Sequence, residues 1–342
     1  MIRPSIDALT RYAPPSGACP TDLADNTNRW GAPPAAGAKL RALADSMSAY
    51  PTLYGSHFAD ALAERFAVPR DQVVTGCGSD DILRAAILAG ASAGDAIAYT
   101  APTFVMVPVF AAMAGVRAIP LAPLPDGSAD PAALLGSGAR ILYVCAPNNP
   151  TGAWTDPSVV RTLLAESDAL VIVDEAYIDF ADDPGLLADA VTSDRLIVAR
   201  TMSKAWGLAG LRAGWAVASA TWATAIEKAR GPYTLNAVAD VVAATAIRED
   251  AEWVAARAAD AIAGREWLAA ELRTRGLAPL PSRASFLCVP LADAPRIAAA
   301  MRTRGVAVRA FTALPGIGDA LRISVGPSNE LRDCLAALDA SR

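Results

Sequence analysis

Histidine is almost missing from this chain: His57 is the single one among 342 residues. One histidine is too few for a metal site built on several imidazoles, and it leaves none for a Ser-His-Asp triad away from His57. The five cysteines (Cys19, Cys77, Cys145, Cys288, Cys334) show no metal-binding spacing and suit a reduced, cytoplasmic protein. Charged residues are sparse at 19%, and a net charge of -5 offers no basic face for nucleic acid. The start, Met1-Ile2-Arg3-Pro4-Ser5-Ile6-Asp7, lacks the apolar centre of a signal peptide. One uncharged run, Ala96 through Val116, is long enough to span a bilayer. Pro102 and Pro108 interrupt it, and Thr100-Ala101-Pro102-Thr103 reads as a loop. The run is therefore expected to be a buried strand and a buried helix, with no membrane partner. Tandem repeats and low-complexity tracts are also lacking.

What is present is an alternation of helix and strand patterns, in a chain long enough for one large and one smaller domain. Residues 1–35 are rich in Pro, Asn and Gly and read as an extended arm. Residues 36–235 alternate: helix Ser56 to Phe66, strand Gln72 to Thr75, helix Asp80 to Leu88, strand Ala96 to Tyr99, helix Thr103 to Ala114, strand Val116 to Leu121. Strands Arg140 to Cys145, Leu170 to Asp174, Leu196 to Arg200 and Gly214 to Ala218 follow. Their continuous apolar character predicts an α/β fold, with a mostly parallel central sheet and helices on both faces. Residues 236–342 read as a smaller α+β domain. A long helical stretch comes first, then strands near Ser285 to Val289, Gly305 to Arg309 and Leu321 to Val325.

The chemistry-bearing residues fall at strand ends, where such sheets bind ligands. Thr201-Met202-Ser203-Lys204 follows one apolar strand, and Arg212 comes eight positions after the lysine. A second strand ends in Asp174, with Tyr177 three residues on. A third runs into Pro147-Asn148-Asn149-Pro150. Asn, Asp, Tyr, Lys and Arg in this order suit pyridoxal 5'-phosphate (PLP). That cofactor needs a lysine for a Schiff base, an acid for the ring nitrogen, donors for the ring hydroxyl and a phosphate cup. Lys204 is the candidate for the Schiff base and for proton transfer. Asp174 would hold the protonated nitrogen, a cationic partner that a buried carboxylate requires. Tyr177 and Asn149 would reach the ring hydroxyl. Gly76-Cys77-Gly78-Ser79-Asp80-Asp81 opens a helix whose free N–H groups suit phosphate, and Ser203 and Arg212 would complete the cup. Phe104 would stack on the ring. Arg322, inside an apolar strand, needs an anion such as a substrate carboxylate or phosphate, and Arg309 is a weaker second candidate. Each has a plainer alternative: a loop lysine, a helix cap, an Asn-Pro turn, a core aromatic, an internal salt bridge.

Taken together these residues resemble the fold-type I PLP-dependent enzymes, and within them the class I/II histidinol-phosphate aminotransferase family. The likeness covers nearly the whole chain. It includes Ile2-Arg3-Pro4-Ser5, Arg11-Tyr12-Ala13-Pro14-Pro15, Asn26-Thr27-Asn28-Arg29-Trp30-Gly31, Tyr50-Pro51, Gly78-Ser79-Asp80 and Leu321-Arg322-Ile323-Ser324-Val325-Gly326. The resemblance implies a homodimer whose sites draw on both chains. The arm would pack on the small domain or the partner, and Tyr50 would reach the cofactor phosphate of the other subunit. It implies a phosphate cup of Ser79, Asp80, Thr201, Ser203 and Arg212, with Ser79 and Asp80 acting largely through their backbone. Arg322 would hold the substrate anion. The substrates implied are an amino donor and a 2-oxo acid, in histidinol-phosphate:2-oxoglutarate transamination. Two departures bear on the substrate. The family's arm reads with an acid and a Pro-Tyr pair where this chain has Thr27, Arg29 and Trp30, and its ring-stacking tyrosine is here Phe104. Trp30 lacks the hydroxyl that would meet a substrate phosphate, and Arg29 would compensate as a cation. Open alternatives are an aminotransferase for aromatic or other amino acids, a threonine-phosphate-type decarboxylase, an oxygen-using PLP enzyme and a PLP-containing regulator.

Overall fold

Short apolar runs become the strands of two sheets in the computed structural model, which describes residues 2–11, 18–43 and 48–342. In chain order the strands are β1 (Thr21–Leu23), β2 (Val73–Cys77), β3 (Ala96–Thr100), β4 (Arg117–Leu121), β5 (Ile141–Cys145), β6 (Leu170–Asp174), β7 (Leu196–Thr201), β8 (Ala213–Val217), β9 (Phe286–Pro290), β10 (Val306–Leu314) and β11 (Gly318–Ser324). The larger sheet has the order β2-β8-β7-β6-β5-β3-β4. Strands β3 to β7 run parallel, and β8 runs antiparallel to both β7 and β2. Every residue of β5, β6, β7 and β8 is buried, as strands covered on both faces require. Along β5, Leu142 and Val144 join one apolar cluster while Tyr143 and Cys145 join the other, so the sheet separates two cores. Helices Gly78–Gly90, Met106–Ala114 and Ala220–Arg230 cover the Tyr143 face. Helices Ser56–Phe66, Pro157–Glu166 and Ala237–Glu249 contribute to the other. β4 is an edge strand, which is where Pro120 is tolerated.

The smaller sheet has the order β1-β10-β11-β9, with β1 parallel to β10 and the other pairs antiparallel. It takes three strands from the last third of the chain and one from the first 35 residues. The arm is therefore more structured than its composition suggests. Pro4–Asp7 forms a helical turn, and β1 pairs through Thr21↔Val306, Asp22↔Ala307 and Leu23↔Val308. Helix Pro34–Ala42 follows. The Tyr12 to Pro15 part of the N-terminal motif lies outside the described residues. The long helical stretch is two helices, Ala237–Glu249 and Ala251–Thr274, meeting at Asp250. The Asp250 carboxylate accepts from the N–H groups of Ala35 and Ala36, at 2.9 Å each, satisfying two otherwise unpaired donors at the start of Pro34–Ala42.

One boundary shift matters for function. The helix expected from Thr103 starts at Met106. Pro108 then falls in its first turn, whose N–H groups have no intrahelical partner in any case. Thr103, Phe104 and Val105 are left in a loop beside the sheet's carboxyl edge. The long uncharged run is thus β3, this loop and a helix of nine residues. Among the described residues no helix is long and apolar enough to cross a membrane.

Candidate active site

The ends of β5, β6 and β7 and the start of helix Gly78–Gly90 converge on a cavity of about 560 Å³. Its floor carries Lys204, whose Nζ donates to the Asp25 carbonyl at 3.1 Å and lies 5.7 Å from the Tyr177 ring centroid. Burial pushes the Lys204 amine down to about 8. Arg322 and Arg212 act in the same direction, against Asp25 and Asp80.

Asp174, the last residue of β6, is buried at the same cavity. Tyr143 Oη donates to its Oδ2 at 2.9 Å, and the Ala176 N–H donates to its Oδ1 at 3.1 Å. Burial raises its carboxyl to about 6, and those two hydrogen bonds resist the rise. Tyr177 is buried, which pushes its phenol up. Its oxygen accepts from Asn26 Nδ2 at 2.9 Å. Asn26 is itself fixed by Ser324, whose Oγ donates to Asn26 Oδ1 at 2.8 Å and accepts from the Asn26 N–H at 2.9 Å.

At another wall Ser79 and Asp80 occupy the first turn of Gly78–Gly90, facing Thr201, Ser203 and Arg212. Arg212 Nη1 donates to Ser203 Oγ and Nη2 to Asp80 Oδ2, both at a loose 3.3 Å. A side chain at Gly78 would meet Arg212 Nη2 at 2.5 Å, so glycine there lets the guanidinium approach the helix start. Phe104 lines the cavity from its loop. From the small sheet come Arg309 and Arg322, which are direct partners across β10 and β11. Arg322 Nη1 donates to Asn149 Oδ1 and Nη2 to the Ala24 carbonyl, each at 2.6 Å. Its guanidinium also lies 5.4 Å from the Phe286 ring and 5.7 Å from the Phe311 ring.

Arg29, Trp30 and Tyr50 do not line this cavity, and of the three only Tyr50 was expected to serve the site of a partner subunit. Arg29 does not line the cavity: its Nε and Nη2 form a forked pair with Glu330 at 2.9 and 2.8 Å. Two of its N–H groups are engaged by a carboxylate away from the cavity, which gives no support to Arg29 as a stand-in for the missing tyrosine hydroxyl. Trp30 packs against the apolar core behind Lys204 and forms no wall of the cavity. Tyr50 is 84% exposed and stacks on Tyr233 at 5.0 Å between ring centroids. His57 lies away from the cavity, with Nδ1 2.9 Å from Asp240 Oδ2. In the other direction, Asn26, Ser324 and Tyr143 support the site but were not singled out for it. Tyr143 sits in an apolar strand and reads as core, and the partners of Asn26 are 151 and 298 residues away.

The donor set fits PLP. Asp174 is a buried acid with no arginine or lysine within ion-pair distance among the described residues, so a protonated ring nitrogen would complete it. Arg212, Ser203 and the helix start form an anion cup. Lys204 presents a half-buried amine between these two.

The comparisons agree. The family model for aminotransferase class I and II matches residues 20–338. A histidinol-phosphate aminotransferase of Thermoanaerobacter sp. (strain X514) is 32% identical over 295 residues, covering 84% of this chain and 83% of that one. Histidinol-phosphate aminotransferase 2 of Pseudomonas fluorescens (strain Pf0-1) is 33% identical over 343 residues, covering 97% and 92%. The crystal structure of histidinol-phosphate aminotransferase from Sinorhizobium meliloti in complex with pyridoxal-5'-phosphate superimposes with a TM-score of 0.89. It covers 99% of this chain and 97% of that one, and at 23% identity it speaks for the fold alone. The chain belongs to the aminotransferase class I and II family and is a PLP-dependent aminotransferase, moving an amino group from a donor to a 2-oxo acid.

Proposed function

We propose that this aminotransferase exchanges an amino group between histidinol phosphate and 2-oxoglutarate, in either direction. One observation carries the reading: the cavity has two separate cationic ends. Arg212 stands beside the first turn of Gly78–Gly90, while Arg309 and Arg322 face each other on the small sheet. A phosphate-bearing cofactor and an anionic substrate need one each. Arg322 would take the phosphate ester of histidinol phosphate in one half-reaction and a glutamate carboxylate in the other. The likeness to relatives that carry the histidinol-phosphate name supports the same substrate.

When bound, PLP supplies an electron sink for charge developing at the substrate's α-carbon. In this reading Asp174 holds the protonated ring nitrogen, and Tyr177 and Asn149 donate to the ring hydroxyl. Ser79, Asp80, Thr201, Ser203 and Arg212 cradle the phosphate, while Phe104 covers the ring. Lys204 anchors the cofactor and, neutral above about pH 8 in the free protein, takes the α-proton of the substrate. The partner subunit's Tyr50 reaches the phosphate in a homodimer.

Two measurements test the proposal. Borohydride reduction of the purified protein should fix the cofactor on Lys204, and label on Lys39 or Lys228, the other two lysines, would sink that assignment. Amino transfer to 2-oxoglutarate should then be followed with histidinol phosphate, phenylalanine, tyrosine and threonine phosphate as donors. Histidinol phosphate should give the highest kcat/KM. Turnover of the aromatic amino acids alone would reassign Phe104, Val105, Met106, Phe311 and Leu314, the apolar part of the wall, to an aromatic side chain. Carbon dioxide release from threonine phosphate would make the chain a decarboxylase.

A further inference from the structure

Tyr143 lies behind the site and is no part of the cavity wall, yet its hydroxyl is spent on the site's acid. β5 and β6 are parallel, with Cys145 opposite Asp174 and Tyr143 opposite Ile172. Residues two apart in a strand share a face. Tyr143 is therefore on the Asp174 side of the sheet, one pair lower, and its long phenol reaches along the strands to Asp174 Oδ2 at 2.9 Å. The Tyr143 side chain is 1% exposed. A phenol hydroxyl so deep in an apolar cluster is costly unless hydrogen-bonded, and the Asp174 carboxylate is its acceptor. The Ala176 N–H takes the other oxygen, Oδ1, at 3.1 Å. Two donors on two oxygens fix the plane of the carboxylate. Among nearby charges Asp80 opposes ionisation of Asp174 and Lys204 favours it. A donor of fixed geometry adds to the favourable side.

We propose that Tyr143 is a positioning residue: its hydrogen bond aims the Asp174 carboxylate at the protonated ring nitrogen of PLP and strengthens that contact. The proposal rests on the reading of Asp174 as the ring nitrogen's partner. It concerns cofactor binding through another residue, because Tyr143 itself does not touch the cavity.

The experiment compares equilibrium dissociation constants for PLP and for its 1-deaza analogue, which has carbon in place of the ring nitrogen. The protein is used unmodified, as Tyr143→Phe and as Asp174→Ala. Tyr143→Phe removes one oxygen and keeps the ring that fills the core. It should weaken PLP by about tenfold, the weight of a hydrogen bond to a charged group, and leave the analogue's affinity unchanged. Retained binding of the analogue also reports an intact cavity. Equal weakening of both ligands would make Tyr143 a packing residue and overturn the proposal, as would no weakening of either. Asp174→Ala separates the two levels, because it should also weaken PLP far more than the analogue. If it treats both alike, the reading of Asp174 falls first and the role of Tyr143 falls with it.

Discussion

A single amine sets the reactivity expected of this site. Lys204 is held between burial and two arginines on one side and two acids on the other, and its pKa falls to about 8. In the free protein it is charged below that value and neutral above it. An unfolded lysine titrates near 10.4, so between the two values the unfolded chain binds more protons. The stability of the cofactor-free protein should therefore rise with pH across that window, as far as this group is concerned. Carbon NMR of the reductively methylated apoprotein should show one lysine amine titrating near 8, beside the terminal α-amine that titrates in the same range, and Lys204→Ala should remove the lysine signal alone. A midpoint near 10.4 would contradict the environment described. Tyr177 gives a second prediction at this scale. Because Asn26 donates to its oxygen, the phenol's own proton is left to point elsewhere. Asn26→Ala should loosen that orientation and weaken PLP by about tenfold, the effect of one hydrogen bond, as read by equilibrium dialysis. Unchanged affinity would show that Tyr177 keeps its geometry without Asn26.

At the scale of elements, the phosphate cup depends on how closely β8 approaches the helix Gly78–Gly90. A side chain at Gly214 would lie 2.2 Å from the Ser79 nitrogen and 2.3 Å from the Gly78 carbonyl carbon. Both are backbone atoms, so the first turn of the helix would have to move. Gly214→Ala should cost about 1–3 kcal/mol, the usual penalty of overpacking, and should impair retention of the cofactor phosphate. Thermal unfolding and dialysis check the two effects, and a wild-type result in both would mean that the helix start shifts freely. The Arg29–Glu330 fork ties the arm to helix Ser328–Asp339, with 23% and 15% of the two side chains exposed. It lies between an exposed pair, worth about 0–1 kcal/mol, and a buried pair, whose breakage costs about 3–5 kcal/mol. A double-mutant cycle of Arg29→Ala and Glu330→Ala should give a coupling of about 1–2 kcal/mol in stability. Selective loss of histidinol phosphate use in Arg29→Ala alone would instead place Arg29 on the substrate.

At the scale of the whole molecule, the proposed homodimer can be set against the apolar side chains left on the surface. Tyr50, Leu53 and Tyr233 are 84%, 57% and 45% exposed, and Tyr50 stacks on Tyr233. An aromatic patch of this kind is expected to be covered by association. Light scattering should therefore report a homodimer. Tyr50→Ala should weaken cofactor binding although Tyr50 does not line the cavity of its own chain. A fully active monomer would rule out the shared site.

Most elements, and the polar residues that gather at the cavity, are legible along the chain before it folds. Strands buried on both faces are apolar over most of their length, so Leu170 to Val173 and Leu196 to Ala199 stand out along the chain. A parallel sheet then gathers the residues that follow such strands at one edge, which is why Lys204, Asp174, Asn149 and Arg212 form a recognisable group in the sequence. What those residues rest on depends on long-range contacts. Asn26 meets Tyr177, Arg29 meets Glu330, and Asp250 caps a helix begun 216 residues earlier. No local period encodes such pairs, because each joins segments that are distant in the chain and meet only on folding. Tyr143 was hidden for a different reason. Within an apolar strand a tyrosine ring and a phenylalanine ring fill the same space, and only the position of Asp174 on the neighbouring strand gives the hydroxyl its use.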